Sequence, residues 1–461
     1  MDLRELVKKY KDLEGQTVNV SGWIRNNRDQ KEFGFLELFD GTAFGSIQIV
    51  YSDDNTNNFE EISKYRIGSA LEIEGEVALT PNAKQPFEII AKKVVLCADS
   101  GEDYPIQPKR HTREFLREKA HLRARTLLFN TVFRVRNELT YAVHKYFQEH
   151  GFVNCPSPII TKVDAEGAGE MFGVSVLEHK NPPLDKEGNV DYNKDFFGGK
   201  SSLTVTGQLQ AEIYAMSFKK TYTFGPTFRA ENSNTSKHAA EFWMIEPEIA
   251  FADNEENMRI AEDFVKNVIS YVLNNCDEEL KWLDKFVEKG LIDKLKDVVS
   301  KDFLRVTYTQ AQEILKNADV EFEFPIGFGN DLASEHEKYL TDIHFNAPVF
   351  VTDWPKEMKA FYMRLNSDNK TVAGMDLLVP RVGELIGGSQ REERYDHLIK
   401  RMKEMNVPRK DLEWYLDLRK YGGCYHSGFG LGFERLVMYV TGIENIRDVH
   451  PFPRTPNNCE F

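Results

Sequence analysis

Apolar and polar positions alternate with period two through five stretches of the first hundred residues: 17–24 (TVNVSGWI), 33–40 (FGFLELFD), 45–52 (GSIQIVYS), 69–79 (SALEIEGEVAL) and 87–96 (FEIIAKKVVL). Gly, Asp and Asn separate them, so each reads as a half-buried strand. Five such strands fit a small barrel of the oligonucleotide-binding type, with 52–68 as the helix or loop between the third and fourth. A Pro/Asp/Gly-rich linker follows at 98–111. The period then changes. Phe129, Val132, Phe133, Leu139, Val143 and Phe147 recur at helical spacing, and Gly151 stands where a left-handed residue ends a helix. The stretch 152–161 (FVNCPSPIIT) reads as a strand interrupted by prolines, hence an edge or interface strand. Segment 255–320 reads as mainly helical, and 179–202 as an insertion.

Composition narrows the class. A chain of 461 residues, 41% hydrophobic and 29% charged, exceeds one ordinary core and predicts two or three domains of a globular protein. No apolar run approaches the roughly 20 residues of a membrane span, and the charged opening MDLRELVKKYKDLEG does not read as a signal peptide. Five scattered cysteines without a CxxC read as reduced thiols, and the expected location is the cytoplasm. A net charge of −14 argues against a sequence-independent nucleic-acid coat. Residues 108–125 run the other way, with seven Lys/Arg against two Glu. They form either a solvated helix or a local contact for a polynucleotide.

The candidate chemistry lies in three stretches: the helix, glycine and strand around HGFVNCPSPIIT; FRAENSNTSKHAAEF (228–242) with the following W; and GFGLGFERL (428–436). They occur in the order of the three signature motifs of class II aminoacyl-tRNA synthetases. DAEGAGEMF (164–172), TGQLQAEIY (206–214), GELIGGSQREER (383–394) and NIRDVHPFPRTP (445–456) extend the match over nearly the whole chain. Within that class the chain resembles the aspartyl/asparaginyl/lysyl subgroup, and most closely its bacterial asparaginyl branch.

The resemblance implies an α+β molecule: an oligonucleotide-binding barrel that reads the anticodon (1–102), a basic hinge (103–128), and a catalytic domain (129–461) of antiparallel sheet flanked by helices, with insertions at 179–202 and about 255–345. It implies a homodimer that ligates asparagine to tRNA(Asn) at the expense of ATP, with Mg²⁺. Arg229 would fork across the α-phosphate and the amino-acid carboxylate. Glu231 would hold the adenine or ribose end, and His238 and Glu241 would approach the triphosphate and its metal. Phe242 and Arg435 would sandwich adenine. Such charge stabilisation is what phosphoryl chemistry requires. Asp376 and Glu384, on adjoining strands, suit Mg²⁺, and Ser389 offers a further oxygen. Glu166 and Gln208 match the α-ammonium ligands, and Arg391 the contact to the substrate side chain. His426 is a substrate-loop candidate, although Tyr425 stands where the family usually has proline. Phe35, Gln48 and Glu88 fall within the barrel strands, and an aromatic with amide and carboxylate neighbours is what reading unstacked bases requires; Phe35 as plain core is the competing reading.

Where aspartyl enzymes carry a second cation, this chain has Ala211, and where they carry an aspartate it has the longer Glu246. A pocket that donates through Arg391 and accepts through Glu246 suits a carboxamide. This disfavours the runner-up, an aspartyl-tRNA synthetase. An asparagine synthetase built on the same catalytic core typically lacks the barrel. A non-catalytic RNA-binding relative is disfavoured by the joint presence of Arg229, Glu384 and Arg435.

Overall fold

A computed structural model describes residues 1–163, 165, 171–233 and 235–461. The chain divides into two compact units, 1–134 with Phe461, and 135–460.

In the first unit, β1 (Thr17–Asp29), β2 (Phe33–Phe39), β3 (Ile47–Ser52), β4 (Ala70–Leu79) and β5 (Phe87–Ala98) close a barrel in the order β1-β2-β3-β5-β4. All neighbours are antiparallel except β3 and β5. The alternation read from the sequence sets the interior: Val18, Val20, Leu36, Leu38, Ile47, Ile49, Leu71, Ile73 and Ile89 are buried together. The helix Leu3–Lys9 adds Leu3 and Leu6 to this core. Gly34 is required by close approach, since a Cβ there would collide with the ring of Tyr51. The basic stretch 108–125 forms two short helices, Arg113–Glu118, capped by Thr112, and Ala120–Arg123. It is more than a solvated face: Arg123 is fully buried, with its guanidinium carbon 4.4 Å from the Phe129 ring centroid.

The 23-residue helix Leu127–Glu149 contains the boundary between the units. The second unit is built on eight strands. In chain order they are β6 (Val153–Asn154), then, beyond a small separate sheet of β7 (Ile160–Thr161), β8 (Gly173–Val174) and β9 (Ser201–Leu203), β10 (Lys220–Phe228), β11 (Glu241–Ala250), β12 (Leu304–Thr307), β13 (Val349–Pro355), β14 (Thr371–Val379), β15 (Gly383–Gln390) and β16 (His426–Gly432). Their spatial order is β12-β13-β14-β15-β16-β11-β10-β6. The six central strands are antiparallel, whereas β6 and β12 join the edges in parallel. Pro156 and Pro158 lie between β6 and β7, where they interrupt a single strand into two short edges. The region after β11 is helical as its periodicity predicts: Asn254–Asn275, Asp277–Phe286, Leu291–Ser300 and Tyr308–Lys316, with β12 embedded in it. Among the described residues no helix is long and apolar enough to cross a membrane.

Candidate active site

β10 and β11 form a hairpin in which Phe228 faces Glu241 across the pair and the N–H of Arg229 donates to Ala240 O at 2.9 Å. The polar bend beyond is held from outside: Ile446 N–H donates to Ser236 O (2.8 Å), and Arg447 donates to Thr235 O (3.1 Å). The second half of NIRDVHPFPRTP thus anchors the base of the hairpin, where Ala240 N–H donates to Arg454 O at 2.8 Å. A cleft of about 150 Å³ opens over this hairpin, lined by Arg229, Glu231, Lys237, His238, Phe242, Glu384 and Arg435, with Gly430 and Gly432 among its walls. The Arg229 guanidinium carbon lies 5.4 Å from the Phe242 ring centroid. Arg435 comes from the helix Phe433–Thr441 and donates to Glu384 O at 2.8 Å. His238 accepts or donates at Nδ1 to Thr235 Oγ1, 2.5 Å away. Burial, with Arg435, Arg229 and Lys237 near it, pushes His238 below its ordinary pKa although Glu231 pulls the other way, which favours the neutral ring.

Two residues absent from the sequence reading share this cleft's chemistry. Lys237 is pushed down by burial and supported by Glu337. Glu337, on the helix Ser334–Lys338, is pushed up to about 7 by burial and by Glu384.

Glu241 does not join the cleft. Side chains alternate along β11, so Phe242, Met244, Glu246 and Glu248 share one face, while Glu241 and Trp243 line a different cleft with Arg136 and Phe452. Its expected approach to the triphosphate is therefore corrected.

Asp376 on β14 and Glu384 on β15 converge. A Cβ built on Gly387 would stand 3.0 Å from Glu384 Oε1 and 3.6 Å from Asp376 Oδ1. Burial pushes Asp376 up to about 6, against the pull of Lys359, whose Nζ donates to Oδ2 at 2.6 Å. Two oxygen donors aimed at one point fit a hard divalent cation that takes its other ligands from phosphates and water. No group of three or more His, Cys, Asp or Glu able to hold a metal occurs among the described residues. Ser389 is not part of this pair. Its buried hydroxyl accepts from Arg391 Nη1 at 2.9 Å, because it pairs with Gly374 and Gly428 beyond the end that carries Glu384.

Deeper in the sheet lies a second, ionic set. Arg391 is 2% exposed and forks onto Glu248, with Nε 3.2 Å from Oε2 and Nη2 on Oε1. Glu248 therefore holds it charged, well above its usual range. Arg391 and Glu246 are expected to donate to and accept from a substrate carboxamide; within the protein the partner of Arg391 is Glu248, two residues beyond Glu246 and on the same face. Glu246 accepts from Gly207 N–H at 2.9 Å and from the Thr206 hydroxyl, holding the start of the helix Gln208–Phe218. Gln208 opens that helix and Ala211 is fully buried within it. His426 sits on no loop. It begins β16, is 1% exposed, and its Nε2 lies 2.9 Å from Glu212 Oε2. Tyr425 beside it is 47% exposed. Glu166 lies outside the described residues.

The barrel candidates are in the other unit. Phe35 projects from the outer face of β2, half-buried, with the Arg28 guanidinium carbon 5.6 Å from its ring centroid; it is not core. Gln48 on β3 and Glu88 on β5 share that outer face, joined by a 2.9 Å hydrogen bond from Gln48 Nε2.

Comparison with known proteins places these arrangements. The family described as tRNA synthetases class II (D, K and N) matches residues 112–456, and that of the OB-fold nucleic acid binding domain matches 18–96. The asparagine–tRNA ligase of Acetivibrio thermocellus is 57% identical over 459 residues, covering 100% of this chain and 99% of that protein. That of Acholeplasma laidlawii is 58% identical over 461 residues, covering 100% of each. The crystal structure of asparaginyl-tRNA synthetase from Pyrococcus horikoshii, complexed with asparaginyl-adenylate, aligns with a TM-score of 0.85 at 32% identity over 98% of this chain and 97% of that one. The Entamoeba histolytica asparaginyl-tRNA synthetase, also in complex with asparaginyl-adenylate, aligns at 0.83 and 27% identity over 97% of each. With a closed barrel, a hairpin cleft bearing two arginines and this breadth of similarity, the chain belongs to the class II tRNA synthetases of the D, K and N group.

Proposed function

We propose that this protein ligates asparagine to tRNA(Asn) in two steps, forming asparaginyl-adenylate and pyrophosphate from ATP and then passing the acyl group to the terminal ribose, with release of AMP. The observation that carries the reading is the placing of Arg229 and Arg435, from separate elements, on one cleft with Phe242. Two anions must meet when a carboxylate attacks the α-phosphate, and preorganised guanidinium groups relieve that repulsion and stabilise the spreading charge. Arg229 takes the α-phosphate and the substrate carboxylate, and Phe242 stacks on the base. Arg435 reaches the outer phosphate from the helix after β16. No side-chain nucleophile is needed, since positioning carries the rate.

Asp376 and Glu384 would hold Mg²⁺, which would neutralise phosphate charge when bound. The side-chain end of asparagine meets Arg391, while the carboxylates Glu246 and Glu248 and the small Ala211 leave no unbalanced cation to welcome a second carboxylate. Gln208 serves the α-ammonium. Phe35, Gln48 and Glu88 read the anticodon from the barrel's outer face. A homodimer is supported by the exposed Tyr141 of the Leu127–Glu149 helix and by Val153, Ile159 and Ile160 in the proline-broken segment after it. Cytoplasmic residence is supported by five free cysteines.

Pyrophosphate exchange with asparagine and aspartate in parallel tests the reading. Asparagine should support exchange at a kcat/KM at least a hundredfold above aspartate. Equal use, or a preference for aspartate, would remove the asparagine assignment.

A further inference from the structure

One helical turn after Gln208, the same helix carries a carboxylate to which the motifs assign no role. Glu212 is 0% exposed, and both of its oxygens are engaged. Oε1 accepts from Gln208 Nε2 at 3.1 Å and from Tyr415 Oη at 2.9 Å. Oε2 lies 2.9 Å from Arg419 Nη2 and 2.9 Å from His426 Nε2. The partners come from three places: the helix itself, the helix Glu413–Lys420 and the first residue of β16. Burial alone would raise the pKa of Glu212, but Arg419 and His426 hold it well below the usual carboxylate range. It is therefore an ionised group that only accepts.

That fact decides the orientation of a neighbour. A glutamine amide has a donor end and an acceptor end of nearly the same shape, and an isolated one can flip between them. Facing Glu212, Gln208 has one choice: Nε2 toward the carboxylate and Oε1 away from it. The turned-out carbonyl is the end that can accept from an ammonium. The reverse orientation would present N–H groups to N–H groups.

We infer that Glu212 is a positioning residue for amino-acid recognition: by holding the Gln208 amide in one orientation it aims Oε1 at the substrate's α-ammonium, and so sets affinity for that end of asparagine without touching it. The inference rests on the reading of Gln208 as an α-ammonium ligand, and the two are separable by experiment. In Glu212→Gln the new amide oxygen is drawn to Arg419 and Tyr415. Its NH₂ then faces Gln208 and turns that amide around.

The test uses the full-length chain in pyrophosphate exchange, with succinamate, which is asparagine lacking its α-ammonium, as a competitive inhibitor. Glu212→Gln should raise the KM for asparagine about tenfold. The KM for ATP, kcat and the inhibition constant of succinamate should all stay within twofold. A parallel weakening of asparagine and succinamate would overturn the inference, because a generally loosened pocket does not single out the ammonium. Gln208→Leu should weaken asparagine at least as much, and adding Glu212→Gln to it should cost nothing further. If Gln208→Leu leaves the KM for asparagine unchanged, the reading of Gln208 fails. If Gln208→Leu raises it and Glu212→Gln does not, the positioning role alone fails. Should Glu212→Gln melt too low to assay, Glu212→Asp keeps the anion for Arg419, withdraws it from Gln208 and carries the same comparison.

Discussion

Arg229 and Arg435 were visible in the sequence because each sits inside a motif whose neighbours constrain it, and both line the one cleft with Phe242. Replacing either by alanine should lower exchange about a hundredfold, since one lost contact to transition-state charge costs roughly 3 kcal/mol. The melting temperature should stay within a few degrees, as neither guanidinium is packed into a core. Near-normal exchange in a folded variant would remove the phosphate assignment. Other residues were less legible. Glu246 and Glu248 are two apart on one strand and so point to the same side, and nothing in the local pattern says which one meets Arg391. Glu212 lies 203 residues from Tyr415 and 207 from Arg419, and only folding joins it to them. Glu241 is a different matter. The period of two along β11 already sets it opposite Phe242, so the signal was present in the alternation itself.

Among the elements, the helix Phe433–Thr441 shows how a buried carboxylate can tie several pieces together. Glu434 accepts from Arg136 of the Leu127–Glu149 helix at 2.7 Å and from Trp243 N–H of β11 at 2.9 Å, with His450 Nδ1 3.7 Å away. Burial would raise its pKa, but His450, Arg136 and the Trp243 amide bring it below the usual range. A carboxylate depressed in the folded state stabilises fully above its unfolded pKa of about 4.3, and that contribution is lost as pH falls through the folded value. Glu434→Gln should therefore lower the melting temperature at pH 7, by an amount equivalent to about 3 kcal/mol. It should also flatten the further decline as pH falls below about 4.3. An acid limb as steep as that of the unaltered protein would mean that Glu434 does not carry this linkage. The central antiparallel strands followed from the family resemblance. The parallel edges did not, since β6 and β12 are two and four residues long. Strands that short leave no period to read, and their direction is set by the helices that return the chain.

At the scale of the molecule, activation of asparagine and reading of tRNA draw on different units. Every residue assigned to the ATP cleft lies within 135–460, whereas Phe35, Gln48 and Glu88 lie in the barrel. Phe35→Ala should raise the KM for tRNA(Asn) in aminoacylation by about tenfold, given that stacking is worth about 1–3 kcal/mol per base. Exchange, which needs no tRNA, should be unaffected. Because Phe35 sits on the outer face and not in the core, the melting curve should move little. A large loss of stability with unaltered tRNA use would reverse this assignment. The net charge of −14 gave no hint of this division, because the sum over a whole chain hides the seven basic residues at 108–125.

The stretch GFGLG has the composition of a phosphate-binding loop, yet it is strand β16, and its glycines vacate space. A Cβ at Gly428 would collide with the Glu248 carboxylate, and one at Gly430 would stand 2.7 Å from Met244 Cε. Bare peptide therefore lines part of the nucleotide cleft at Gly430 and Gly432. A competitive inhibitor lying flat on that wall would press against atoms that no codon change can remove. A larger residue at Gly430 would displace only the flexible end of Met244, so the route to drug resistance open here adds bulk to the wall and leaves its peptide atoms in place.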